Sequence, residues 1–435
     1  MWHNRWMATE SDTSELIESI ESFLKPIIAD LAAPEAAPAR GRPAVVPAMA
    51  LWAGLLVCVA RGFSAQLELW RLLTASGLWD FPRYAVTDDA IYKRLQHLGR
   101  ATFQRIFEQV TDLLAARRPA SPNPLGDLAA FAQGVYGLDE MTLDAVSRRL
   151  PSLRQHATLE RLPGKVAALF DLRAQLWRRV EFQDDAHQNE KVAARRLLAG
   201  LAPSSLILAD LGYFAFAWFD TLTQQGYYWV SRWRAKTSYT VIHTFYSHAG
   251  VLDALVWLGA HRADRAAHAV RLVRFSHGRQ TWTYLTNVLD PCRLSLADIS
   301  RLYARRWDIE RMFNLVKTHL HLHLLWSSHL TVVVHQVFAV FTIAQIILGL
   351  RAEIAQGAQV EVDEVSLDLM IRWLPRFAQL GLDPVQAIIK RGRQAKIIRP
   401  PTRRLLDVPD PPLADYLPLP TNTPLYRVPR YAGKL

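Results

Sequence analysis

Three acidic residues stand where the surrounding sequence favours apolar side chains or a neutral turn. Asp139 ends the run Val135-Tyr136-Gly137-Leu138, and Asp210 ends Leu206-Ile207-Leu208-Ala209 just before Leu211-Gly212-Tyr213. Glu310 lies within the segment from Tyr303 to Lys317, which reads YARRWDIERMFNLVK. Carboxylates are oxygen donors for hard divalent ions, and two such ions can activate a nucleophilic oxygen and stabilise the leaving oxygen in phosphodiester cleavage. Taken singly, Asp139 and Asp210 are also ordinary turn formers or helix caps. The first position is contested, because Asp139, Glu140 and Asp144 follow one another closely. Asp139 is preferred because it directly follows the apolar run; Glu140 or Asp144 takes the role if the strand runs further.

The segment around Glu310 is the most informative. Tyr303, Arg306, Glu310 and Lys317 are separated by three, four and seven residues, which puts them on one side of a helix, while Leu302, Ile309, Phe313 and Val316 form an apolar side. One helix can then present a carboxylate, two cations and a phenol to a phosphate backbone while packing behind itself. The plainer alternative is a charged surface on which Arg306 and Glu310 form an i,i+4 ion pair.

These residues need strands and helices to hold them. From Ala129 the pattern predicts strands at 134–138, 165–172, 176–182, 205–209 and 227–232, with helices at 189–201 and 214–224. Three strands, helix, strand, helix, strand is the order of a ribonuclease H-like α/β domain, expected here over 126–350. It is interrupted at about 236–288 by a β-strand insertion whose last hairpin turns at His277-Gly278-Arg279. Ahead of it, 1–125 reads as a helical, DNA-binding domain. Leu16 to Leu24 and Phe103 to Val110 have helical spacing, and the stretch from Ala32 to Pro47 and the cluster Pro119 to Pro124 act as breakers. Thr87, Asp88 and Asp89 open a helix bearing Tyr92, Lys93, Arg94, His97 and Arg100; with a helix at 64–73 it forms a loose helix-turn-helix or an ordinary amphipathic helix with a basic face. Residues 351–435 are expected to be helical, then basic from Lys390 to Arg404, then Pro-rich and poorly ordered by themselves.

The spacing of Tyr303, Arg306, Glu310 and Lys317 resembles the signature of DDE transposases of the insertion-sequence-4 group, over roughly Ala129 to Leu350. The resemblance implies that Asp139, Asp210 and Glu310 are catalytic and hold Mg2+, for which Mn2+ can substitute. It implies that Tyr303, Arg306 and Lys317 contact DNA phosphates, and that the β insertion helps hold the DNA. The implied partners are double-stranded DNA, as transposon terminal inverted repeats and as target, and a second copy of the chain in a synaptic homodimer. Leu211 stands where such enzymes often carry Arg, so one cation near the phosphates is missing.

Composition agrees with a polyanionic partner: Lys and Arg outnumber Asp and Glu by 51 to 40 over 435 residues, for a formal charge of +11. Cys58 and Cys292 lie far apart with no zinc spacing, and the first residues lack the pattern of a signal peptide, so a reducing cytoplasm is expected. The apolar stretches 45–59 and 332–350 contain Pro47, His335, Gln336 and Gln345, which favours buried helices over membrane spans. Asp171, Asp220 and Asp308 read as structural; His319, His321 and His323 alternate like one face of a strand, with no cysteine near to build a zinc site. Trp257 and Trp282 can stack on an unpaired base, or pack within the hairpins. Rival readings are a nuclease of the same fold that cuts without joining, and a domesticated DNA-binding protein.

Overall fold

The computed structural model describes residues 44–63, 65–117, 124–143, 164–186, 188–259, 264–401 and 408–431. The expectations for Leu16 to Leu24, for Ala32 to Pro43 and Pro119 to Asn123, and for Asp144, Arg403 and Arg404 fall outside them. In chain order the elements are α1 (Ala48–Ala60), α2 (Gln66–Arg71), α3 (Asp88–His97), α4 (Arg100–Arg117), β1 (Val135–Thr142), β2 (Lys165–Asp171) and β3 (Leu176–Gln183). There follow α5 (Glu190–Leu198), β4 (Leu206–Ala209), α6 (Phe216–Gln224), β5 (Tyr228–Arg232), β6 (Tyr239–His248), β7 (Val251–Leu258), β8 (Val270–His277) and β9 (Gln280–Thr286). The last helices are α7 (Leu296–Arg305), α8 (Trp307–Asn314), α9 (Leu330–Gly357), α10 (Leu367–Gln379) and α11 (Pro384–Arg391).

The chain divides into two compact units. One comprises Met1–Pro124, Thr142–Gly164 and Phe313–Thr402; the other comprises Leu125–Met141, Lys165–Met312 and Arg403–Leu435.

The first unit is helical and built around α9. That helix is long and apolar enough to cross a bilayer, yet 94% of its apolar window is buried inside the protein. It packs against α1, α3, α4, α10 and α11. Gln345 donates to Thr111 Oγ1 at 2.9 Å, and the buried His335 ring packs with its centre 4.1 Å from that of Phe103. Burial pulls the His335 imidazole down to about 4, so it remains neutral in the core. Thr87 caps α3 by accepting from Ala90 N, as its sequence suggests. The helix ends at His97, so Arg100 opens α4 instead of continuing it.

The second unit is mixed α/β around a nine-stranded sheet of order β3-β2-β1-β4-β5-β9-β8-β7-β6. β1, β4 and β5 pair in parallel, β2 with β3 antiparallel, and β5, β9, β8, β7 and β6 run antiparallel in succession. The strands expected to form an insertion thus extend the same sheet, joined to it through β9. β4 consists of four buried apolar residues, as befits a central strand covered on both faces. α5 packs on β2 and β3, and α6 on β5, where the Phe219 and Trp229 rings stack 4.2 Å apart.

The C-terminal Pro-rich stretch, expected to be poorly ordered by itself, is laid along this sheet. Leu417 N donates to Phe245 O, Ala269 N to Leu425 O, and Arg427 N to Ala267 O. Prolines prevent a full ladder, so single residues between them make isolated bridges, Arg265 with Arg430 and His268 with Tyr426. Tyr431 Oη donates to Asp220, whose carboxylate also accepts from Ala267 N and His268 N. Asp220 is therefore a structural anchor.

Candidate active site

The register of the parallel strands brings the first two acids together. Leu138 pairs with Ala209, so Asp139 and Asp210 follow at the same level on neighbouring strands. Asp210 leaves β4 and turns back on its own chain, Oδ1 accepting from Gly212 N at 2.8 Å. Asp139 Oδ1 accepts from Glu140 N at 2.8 Å. The third acid arrives on α8, which rests on β1: a β-carbon at Gly137 would lie 3.5 Å from Ile309 Cβ, one residue before Glu310.

The electrostatics follow from this crowding. Burial is the main force that pushes the Asp139 carboxyl up to about 7; the Glu140 amide opposes it, Asp210 raises it further, Arg306 lowers it and Glu310 raises it. Tyr213 lies buried against the same place. Burial first, and then Glu140, Asp139, Glu190 and Asp210, hold its phenol proton firmly in place. Of these acids, Glu140 is engaged elsewhere: its carboxylate is ion-paired with Lys165 at 2.5 Å and accepts from Gln183 at 3.0 Å, all three side chains being buried or nearly so.

The expected helical run through Tyr303 and Lys317 is present but is not one regular α-helix, although Arg306 keeps helical dihedrals. α7 ends at Arg305, and Arg306 N bonds back to Tyr303 O in a tighter turn before α8 begins. A wide π-helical turn, Leu315–His319, then alters the helical register ahead of Lys317. Tyr303, Arg306 and Glu310 lie in the second unit, whereas Lys317 belongs to the first. Arg306 Nη1 donates to Glu310 Oε1 at 2.6 Å, and its guanidinium stands 5.6 Å from the Tyr303 ring centre and 5.4 Å from that of Trp307. Trp307 is 58% exposed beside these buried groups. Burial pushes the Tyr303 phenol up to about 12 despite Arg306 and Arg232, so it is a neutral hydrogen-bonding group. Asp308 pairs with Arg305 at 3.1 Å, and Asp171 accepts from Arg173 N and Ala174 N in a turn.

Oxygen-only donors suit a hard divalent ion, and an acid kept near half-protonation chiefly by burial, with acidic neighbours adding to it, is a place where positive charge is welcome. Asp139 and Asp210 supply such oxygen donors side by side, and Asp139 is the acid so held. Glu310 is bound to Arg306 through Oε1, and among the described residues no three acidic, His or Cys side chains already converge at ion-binding range. Two residues beyond the sequence expectations enter the neighbourhood: Glu190, whose ionisation feels Asp210, and Lys191, which donates to Gly212 O at 3.2 Å. Their only sequence signal is a predicted helix start. Of the three histidines, His319 lies 3.6 Å from Asp368, and His323 hydrogen-bonds to Lys317 O. Trp257 and Trp282 are partly buried under Arg427 and Arg232.

No curated protein matches this chain. Among solved structures, it is similar to a piggyBac transposase synaptic complex with hairpin DNA, studied by cryo-EM, at a TM-score of 0.42 and 9% sequence identity, covering 89% of this chain and 80% of that one. Residues 143–346 match the family described as Transposase DDE domain, an interval that contains Asp210, Tyr303, Arg306, Glu310 and Lys317 and opens just past Asp139.

Proposed function

We propose that this protein is a cytoplasmic DNA transposase of the insertion-sequence-4 group, with a ribonuclease H-like core that cleaves transposon ends and joins them to target DNA. The observation that carries the reading is the parallel register of β1 and β4, which sets Asp139 and Asp210 abreast where Asp139 also feels Glu310. The Transposase DDE domain match over 143–346 supports it. Asp139, Asp210 and Glu310 would hold magnesium, or manganese in its place. Such ions, when bound, supply activation of the attacking oxygen and stabilisation of charge on the leaving oxygen.

The protein's own groups prepare this chemistry. Asp139, near the midpoint of its titration at neutral pH, gives up its proton readily when positive charge reaches the centre. Arg306 is flanked by aromatic rings and bound to a single carboxylate. A DNA phosphate offers the guanidinium an alternative bidentate partner, and the exchange frees Glu310. Tyr303 keeps its proton and donates to phosphate oxygen; Lys317 adds a further phosphate contact. The formal charge of +11 favours a duplex partner and makes binding salt-dependent. Cutting is coupled to end pairing in a homodimer.

The test is magnesium-dependent formation of 3′ hydroxyls at the ends of the DNA element that encodes the chain. Asp139→Ala, Asp210→Ala and Glu310→Ala should each abolish it; cleavage at the unaltered rate in all three variants would rule out the assignment.

A further inference from the structure

The basic stretch that follows α11 is folded, and apolar residues specify its fold. Gly392 caps the helix, and a β-carbon there would lie 2.4 Å from Ile388 O and 2.8 Å from Ile398 Cδ1, so the chain turns back tightly. Ile397 N and Ile398 N both donate to Gly392 O, at 2.8 and 3.0 Å. The two isoleucines are buried, while Ser366 N donates to Ile397 O and Arg399 N to Glu364 O. The turn thus has a fixed backbone, and Lys390, Arg391, Arg393, Lys396 and Arg399 are all exposed on it.

Like charges gathered on one turn repel one another, and the plain explanation is support of the fold or a solvated face. Part of the charge is explained so. Arg393 Nη2 donates to Ala358 O at the end of α9, and Lys390 and Arg391 suit the negative end of α11. Lys396 and Arg399 are different: neither makes an ion pair or a side-chain hydrogen bond among the described residues. Lys396 also stands at φ 56°, a left-handed conformation that glycine adopts at less cost. No acid lies between Pro384 and Leu406 to balance these charges. The acids of the segment bridged to Ile398 are turned elsewhere, Glu361 and Glu364 to each other's backbone amides and Asp363 to the buried Arg351. We propose that this turn is a preformed dock for the phosphates of duplex DNA, with Lys396 and Arg399 as its principal contacts and Lys390 and Arg391 adding charge beside them. The proposal rests on the reading of the chain as a DNA transposase and adds a holding surface in the unit that does not carry Asp139, Asp210 and Glu310. Phosphate contacts carry no sequence information, so the dock serves any duplex. A bilayer surface would need apolar side chains exposed among the cations, and here Ile397 and Ile398 are buried.

The full-length protein, with chelator present so that no strand is cut, would be titrated onto fluorescent duplexes of transposon-end and unrelated sequence over a series of KCl concentrations, reading anisotropy. Each phosphate contact removed lowers the slope of log affinity against log salt by about 0.9. Lys396→Gly combined with Arg399→Gln should therefore flatten the slope by about 2 and weaken binding about 10-fold, equally on both duplexes. Glycine suits the left-handed turn, so the melting temperature should hold. Lys396→Arg combined with Arg399→Lys should keep the parental slope. A parental slope in the first pair, or an equal loss in the charge-keeping pair, would overturn the dock; if the first pair instead lost binding to phosphatidylserine vesicles, the turn would belong to a membrane surface. A parent protein that binds neither duplex would overturn the transposase reading itself.

Discussion

Asp139 and Asp253 are acids of one sheet, the first half-buried in its parallel part and the second fully buried in its antiparallel part. Asp253 has no exposed surface, and neither has its partner Arg271. The guanidinium grips both carboxylate oxygens, Nε at 2.7 Å, and its Nη1 donates to Leu294 O at 2.6 Å. Asp139 has one amide, a more distant Arg306, and two acids that oppose its ionisation. Burial alone does not separate structure from function. What separates them is whether the partners of the acid are already supplied by the fold.

The sharpest way to break this contrast is to neutralise each acid in turn. Asp139→Asn should reduce 3′ hydroxyl formation below detection in a strand-cleavage assay while leaving ion-free stability equal to or above that of the parent. Arg271→Ala should behave oppositely, costing about 3–5 kcal/mol in denaturant unfolding because it strands a buried charge. A fall in ion-free stability for Asp139→Asn comparable to that for Arg271→Ala would remove the distinction.

The pH dependence sharpens it further. The Asp139 carboxyl is raised from 3.8 to about 7, mainly by burial, so the folded chain binds this proton more tightly than the unfolded one. The associated stability is fully present below pH 3.8 and is lost as pH rises through about 7, by roughly 4 kcal/mol at most. Unfolding in the presence of chelator should show that decline across the window, and Asp139→Asn should remove it. Mn2+ affinity should rise over the same interval. The smallest effect is expected at Tyr431→Phe, which takes one of several donors from Asp220 and should cost about 1 kcal/mol by thermal unfolding without altering Mn2+ binding.

Much of the second unit is legible in the sequence. Short apolar runs at 165–172 and 205–209 correspond to β2 and β4 nearly residue for residue, because strands buried on both faces leave that signature, while the mixed run at 176–182 becomes β3 at the sheet edge, with Arg178 exposed. The hairpin at His277-Gly278-Arg279 is equally plain: His277 pairs with Gln280. Glu190 is not legible, since its surroundings are set by the return of the chain at Gly212, some twenty residues on. Neither is the irregularity at Arg306. The apolar spacing of Leu302, Ile309 and Phe313 runs smoothly through it, and only the backbone bond from Arg306 N to Tyr303 O reveals the tighter turn. The C-terminal stretch departs from its expectation for a physical reason. Proline content excludes a regular strand, but isolated residues between prolines still find single partners on a sheet.

That C-terminal stretch has a consequence for the order in which the protein comes into being. The unit that carries Asp139, Asp210 and Glu310 is assembled from three separate pieces of chain, and the last begins at Arg403. During synthesis the sheet and its acids emerge before the phenol that completes the shell of Asp220.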